Sequence, residues 1–328
     1  MQLAAGAWRA RWLARMAPLV LLALLGALGG CAVQSQALRE ARPAGLQAAA
    51  ELTGTPFFAQ TTYHCGPATL ATLLAAAGLP ARPEDLGEKV FLPARTGTLQ
   101  VEMLAGARRS GAVATRLPPR LEALLREVQA GQPVAVLLNL GLSWYPQWHY
   151  AVLVGFDLEA GEVVLRSGTT QRAVFPLRTF EHTWARAGSW AFVALPPGRW
   201  PATAELPAVI EAAVGFERVA APASAVLTYR SALQRWPADL SLQMGLGNSL
   251  HALGDRSAAA QAFRAAALAH PGSAAAWINL ASTLLDSGQP QEALRAAEQA
   301  VATGDAGWRP QAEAVLRQAQ AAAPRLQR

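Results

Sequence analysis

The spacing of apolar positions changes character twice along this chain. From Cys65 onward, Leu70, Leu73, Leu74 and Ala77 recur at helical spacing and Pro67 suits a first turn, so a helix is expected to open at Cys65. A short helix follows over Arg82–Phe91, opened by Pro83-Glu84-Asp85. Another is expected over Thr98–Ser110, with Leu99, Met103, Leu104 and Ala107 on one face. Ala112–Arg116 reads as a strand. Pro118-Pro119 then starts a helix through Ala130 that buries Leu121, Leu124, Leu125 and Val128, and Gly131-Gln132-Pro133 ends it. Beyond Pro133 the period shortens to two, or gives way to continuous apolar runs. Strands are expected over Val134–Leu140, Tyr150–Phe156, Glu162–Arg166, Ala173–Phe175 and Trp190–Leu195. Helices first and strands second make an α+β domain, placed at residues 55–197.

The second change falls at Pro196-Pro197-Gly198-Arg199-Trp200-Pro201, read as the start of a linker over 198–206. The remainder, 207–328, is helical and repeats every 34 residues: Leu246 matches Leu280, Leu250 matches Leu284, and Gly254 matches Gly288. Ala225, Ala259 and Ala293 fall in register, as do Ala232, Ala266 and Ala300; Tyr229 matches Phe263 and Pro237 matches Pro271. Leu246-Gly247 and Trp277 stand where a tetratricopeptide repeat places its Leu-Gly pair and its Trp. A degenerate unit precedes these near Pro207–Pro237, and Trp308–Ala323 reads as a capping helix. Small residues at the repeated positions let paired helices cross closely.

Length and composition fit this division. The chain has 328 residues, 52% hydrophobic and 15% charged, enough for two packed domains and unlike a disordered polymer. The net charge of +6 is partly leader. Without Arg9, Arg11 and Arg15, the 28 basic against 22 acidic residues become 25 against 22. No basic run with interleaved aromatics occurs, so nucleic acid is not an expected partner. Those arginines precede the apolar stretch Ala17–Leu28, too short for a permanent span, and Leu28-Gly29-Gly30-Cys31 follows. This run resembles a bacterial lipobox. The resemblance implies a signal peptide over 1–31 and acylation of Cys31 as the mature N-terminus, hence a membrane anchor without a transmembrane helix. Ala32 after the cysteine favours the outer membrane and a periplasm-facing chain. Residues 32–54, small and polar, read as a tether.

Cys65 is then the one thiol left in an exported chain, which normally uses cysteines in pairs. At a helix start, unsatisfied amides and the helix dipole favour a thiolate. A nucleophilic thiol needs a base. His64 is adjacent in sequence and diverges as the helix begins, His251 and His270 lie in the repeats, and His182, within Thr179–Trp184, is either structural or near the site. His149 is the candidate: it follows the aromatic loop Trp144-Tyr145-Pro146-Gln147-Trp148 and opens an apolar strand. Gln60, five residues before the cysteine, offers a side-chain amide to an oxyanion. His-Glu-x-x-His, Cys-x-x-Cys, phosphate-binding and dinucleotide motifs are missing, so neither a metal nor a cofactor is expected.

Gln60, Cys65-Gly66-Pro67-Ala68 and His149-Tyr150 resemble the papain-like peptidases that cleave bacteriocin leaders after a double glycine. The whole chain is similar to bacterial lipoproteins joining such a domain to tetratricopeptide repeats. The resemblance implies a Cys-His peptidase with Gln60 in the oxyanion hole. That family carries an Asp on the strand after the histidine; here the stretch reads Val164-Leu165-Arg166-Ser167-Gly168. Asp157 lies about 26 Å along an extended strand from His149, too far to substitute. Counting back from the hairpin turn puts Ser167, Gly168 and Thr169 opposite His149, and Asn139 on the neighbouring strand is a second orienting candidate. The expected function is a membrane-anchored periplasmic cysteine peptidase acting on a peptide or protein, with repeats that dock a substrate or protein partner. An inactive peptide-binding adaptor and a thiol-dependent acyl or amide transferase are the alternatives.

Overall fold

The structure is a computed structural model that describes residues 33–59, 65–95 and 97–323. The leader, the Cys31 lipobox, Gln60 and His64 lie outside the described residues. The first domain comprises α1 (Val33–Glu40), β1 (Ala49–Glu51), α2 (Cys65–Ala76), α3 (Pro83–Val90), α4 (Gln100–Arg109), β2 (Val113–Arg116), α5 (Leu121–Gln129), β3 (Val134–Asn139), β4 (Trp148–Asp157), β5 (Glu162–Ser167), β6 (Thr170–Pro176), α6 (Leu177–Ala185) and β7 (Ala191–Leu195). The strands form one antiparallel sheet in the order β2-β7-β3-β4-β5-β6, and β1 continues the ladder along β4 where β3 ends. The expected α+β architecture is therefore present.

Both faces of the sheet are covered, which is why its central strands read as continuous apolar runs. On one face α2, α3 and α4 bury Leu70, Leu73, Leu74, Val90 and Met103 against Tyr150, Val152 and Phe192. On the other, α1, α5 and α6 bury Leu38, Leu121, Leu124, Phe180 and Trp184 against Leu138, Ala151 and Leu153. Pleat parity along β4 decides which residue serves which core.

Residues 33–54 correct the tether reading. The backbone amides of Gln34 and Ser35 donate to the buried Glu181 carboxylate at 3.0 and 2.8 Å, so α6 caps α1. The Gln34 side chain accepts from Leu121 N, and Arg39 donates to Leu158 O. With β1 paired to β4, this segment is part of the domain. The sequence hid it because its bonds reach positions between 82 and 147 residues away and need no local apolar period. Helix α6 was likewise missed, spanning residues read only as surroundings of His182.

The second domain is α7 (Leu206–Glu217), α8 (Pro222–Leu233), α9 (Leu240–Ala252), α10 (Arg256–Ala269), α11 (Ala274–Asp286), α12 (Pro290–Ala302) and α13 (Arg309–Ala322). Ala225, Ala259 and Ala293 are buried, as are Ala232, Ala266 and Ala300. A Cβ on Gly245 would overlap the Tyr229 ring and one on Gly247 the Phe263 ring, so these glycines set the helix spacing. Gly254 and Gly288 end α9 and α11, equivalent helices of successive repeats, at φ +87° and +70°. The linker 198–206 is pinned rather than loose. Glu127, fully buried, accepts from the amides of Ala202 and Thr203, and Arg235 donates to Pro201 O and Ala204 O. Helix α7 packs Ala212 and Phe216 on Val113 of β2, so the repeats sit against the sheet edge.

Candidate active site

Cys65 is the first residue of α2, half-buried and in no disulfide among the described residues, against the core that contains Tyr150. The amides of the first turn point toward it and are not consumed by the helix ladder. Gly66 is required by close approach, since a Cβ there would overlap the Thr98 side chain. Thr98 in turn accepts through its carbonyl from the Tyr150 hydroxyl at 3.2 Å. Burial, and then the charge of a Cys65 thiolate, pushes the Tyr150 phenol far above its ordinary value. Tyr150 thus stands beside the thiol. Sequence reasoning treated it only as the strand residue after His149; strict alternation along β4 was the signal that would have placed it on the α2 face.

His149 is the second residue of β4, paired with Leu138 of β3. Its Nε2 lies 2.8 Å from Ser167 Oγ, at the end of β5. The register count across the β4–β5 hairpin anticipated this contact: Val152 faces Arg166 and Leu153 faces Leu165, which carries Ser167 back to the strand mouth. The other orienting candidate is corrected. Asn139 Oδ1 accepts from the amides of Gly141 and Gln147, both at 3.0 Å, and its Nδ2 faces Leu142 O, so its amide builds the aromatic loop, and among the described residues no hydrogen bond joins it to the imidazole. Burial pushes the His149 imidazole below its ordinary value, and no carboxylate offsets that cost. With Nε2 engaged by Ser167, Nδ1 is the ring atom left for a thiol proton.

The two halves of the site are not joined. Among the described residues no hydrogen bond links Cys65 Sγ to the His149 ring. Parity is the physical reason: His149 alternates with Tyr150, which packs under α2, and shares the parity of Ala151 and Leu153 in the opposite core. The imidazole reaches the thiol only around the mouth of β4. Arg166, also buried, was missed by the sequence. Its guanidinium donates to Thr53 O at 3.1 Å and Gln171 O at 2.6 Å, and further to Thr55 O, fixing the turn at Thr53-Gly54 that follows β1.

Beside α2, an open cleft of about 940 Å³ runs between Phe57–Ala59 and α3, floored by Ala68 and walled by Gly87 and Phe91. A larger cleft between α1 and the start of α6 is lined by Arg39, Arg178 and His182, and neither cleft is lined by Cys65 or His149. His251 pairs with Asp286 and His270 with Ala238 O, both within the repeats. No group of three or more His, Cys, Asp or Glu residues suited to a metal occurs among the described residues.

Residues 52–192 match the Peptidase C39-like family, and residues 216–274, 244–308 and 278–328 match tetratricopeptide repeats. No curated protein matches the sequence. Among solved structures, a C39-like peptidase from Bacillus anthracis is 19% identical, over 45% of this chain and 98% of its own, with a TM-score of 0.39. The peptidase domain of Streptococcus ComA, a bifunctional ABC transporter of a quorum-sensing pathway, is 18% identical, over 43% of this chain and 98% of its own, at 0.37. The type III secretion translocator chaperone SycD of Yersinia enterocolitica is 17% identical over 36% of this chain and 82% of its own, at 0.33. The chain joins a domain of the Peptidase C39-like family at residues 52–192 to tetratricopeptide repeats at residues 216–328.

Proposed function

We propose that the protein is a lipid-anchored, periplasm-facing cysteine peptidase in which Cys65 is the nucleophile and His149 the general base. The observation that carries the reading is the 2.8 Å contact between His149 Nε2 and Ser167 Oγ, on the strand against which the thiol's helix packs. A hydroxyl replaces the family's carboxylate in holding the ring. On substrate binding the ring closes on Sγ through Nδ1; catalytic hydrogen bonds that are long in the free enzyme commonly tighten in the Michaelis complex. Cys65 Sγ attacks the peptide carbonyl, and the imidazolium returns its proton to the leaving amine. Water then attacks the acyl-enzyme with the imidazole as base. The Cys65 amide and Gln60 are assigned to the oxyanion. The apolar cleft along Phe58 and Phe91 suits an extended peptide, and the repeats bind a protein partner. Incubating the reduced chain with unfolded protein substrates, and mapping new termini by mass, tests this: cleavage is expected and Cys65→Ala abolishes it.

A second reading, a peptide-binding adaptor, is favoured by one observation. A buried imidazole with a serine partner and a lowered pKa carries little imidazolium to stabilise a thiolate. It expects the Cys65→Ala chain to bind the same peptides and the wild-type chain to leave them intact.

A further inference from the structure

The segment between β3 and β4 exposes an apolar surface that neither core uses. Trp144 is 80% exposed, Tyr145 67%, Trp148 57% and Leu142 54%. From Leu140 to Trp148 the sequence contains no charged residue. The loop is held in this display. Asn139 accepts two of its amides, Leu142 and Tyr145 bridge each other, and a Cβ on Gly141 would overlap Tyr145 O and approach Gln147 N. Contiguous apolar exposure on a soluble domain marks a contact surface, and a rigid one spends little conformational entropy on docking.

We infer that this loop is an interfacial membrane contact that seats the mouth of β4 at the bilayer surface. The inference rests on the reading of Cys31 as acylated. Two observations favour lipid over a protein partner. The first is where the chain enters. Val33 begins a helix capped by Glu181, so Cys31, two residues earlier, has no more than about 7 Å of chain between itself and a fixed element. The helix that caps it also holds the loop: Arg186, at the end of α6, donates to Asn139 O at 2.9 Å. Glu181 and Arg186 are five residues apart, about 8 Å of helical rise. An acylated Cys31 would therefore keep the loop close to the membrane. The second is composition. Trp and Tyr partition to the headgroup level, with Leu beneath them, and the exposed Arg186 at the loop's base can reach lipid phosphates. Two acyl chains already suffice for anchoring; the loop supplies orientation. His149, directly after Trp148, then stands at headgroup level, and the substrates of the proposed peptidase are chain segments presented at the membrane surface.

The test uses the mature chain in vesicles whose acyl chains are brominated near the headgroup. Tryptophan emission is expected to fall relative to unbrominated vesicles, and Trp144→Ser/Trp148→Ser to lose more than half of that quenching. The intact mass of the N-terminal peptide reads acylation separately. A diacylated chain that is not quenched, or a double variant quenched like wild type, overturns the loop contact and leaves the anchor standing. An unacylated chain that is still quenched through these tryptophans sinks the anchor and keeps the loop as a membrane contact. An unacylated, unquenched chain overturns both. If quenching is absent and the double variant raises KM for a soluble peptide, the loop is a wall of the substrate cleft instead.

Discussion

The two domains reach their packing by opposite routes. In the repeats, contacts are local and recur, so each helix meets its neighbour through Ala or Gly: Gly245 under Tyr229, Gly247 under Phe263, Ala259 and Ala293 at one repeated position. In the peptidase-like domain the decisive contacts are long-range. Glu181 reaches Gln34, Arg39 reaches Leu158, and Arg166 reaches Thr53. Damage should therefore stay confined in the first architecture and spread in the second.

The largest expected effect is Trp184→Ala. This fully buried ring stacks on Phe180 and donates to Trp190 O, so its loss should cost about 3–5 kcal/mol and unfold the whole first domain, site included, in a denaturant titration. Gly247→Ala is the counterpart in the repeats. Overlap with Phe263 should cost about 1–3 kcal/mol, with amide protection lost across α9 and α10 and kept in α2 and β4; loss in both domains would break the contrast. Glu181→Ala leaves the buried Ser35 amide and the half-buried Gln34 amide without their acceptor, at about 1–3 kcal/mol. Proteolysis should then cut within Val33–Glu40 before any other described element.

The smallest change in stability, and the most informative for chemistry, is Ser167→Asp. Burial lowers the His149 pKa, so the ring loses its proton at lower pH than a free histidine does. A carboxylate within hydrogen-bond reach favours imidazolium and should raise that pKa. The imidazole resonance in an NMR titration would move its midpoint upward, and the alkaline limb of any peptidase activity would move with it. An unchanged midpoint would mean that residue 167 does not govern the ring.

How far the sequence could be read follows the same divide. The 34-residue register revealed the helix pairs and the left-handed glycines, because one local pattern repeats. The strands and the Ser167–His149 contact were also legible, since a short hairpin turn converts counting into register. The docking of residues 33–54 was not, because it depends on backbone amides and a distant carboxylate. Nor was the division of the site between sheet faces: His149 was chosen for standing at a strand mouth, and only the two cores revealed that Tyr150 holds the thiol-facing parity. Asn139 had the right residue type for an orienting partner, but its amide was already committed to the loop.

The dyad itself is tested most directly by the pH dependence of Cys65 alkylation by iodoacetamide, compared between the wild-type chain and His149→Ala. The account expects an apparent thiol pKa well below the free value of about 8.5, rising toward that value when the imidazole is removed. A thiol that titrates like free cysteine and ignores His149 would contradict it and leave a peptide-binding domain without thiol chemistry.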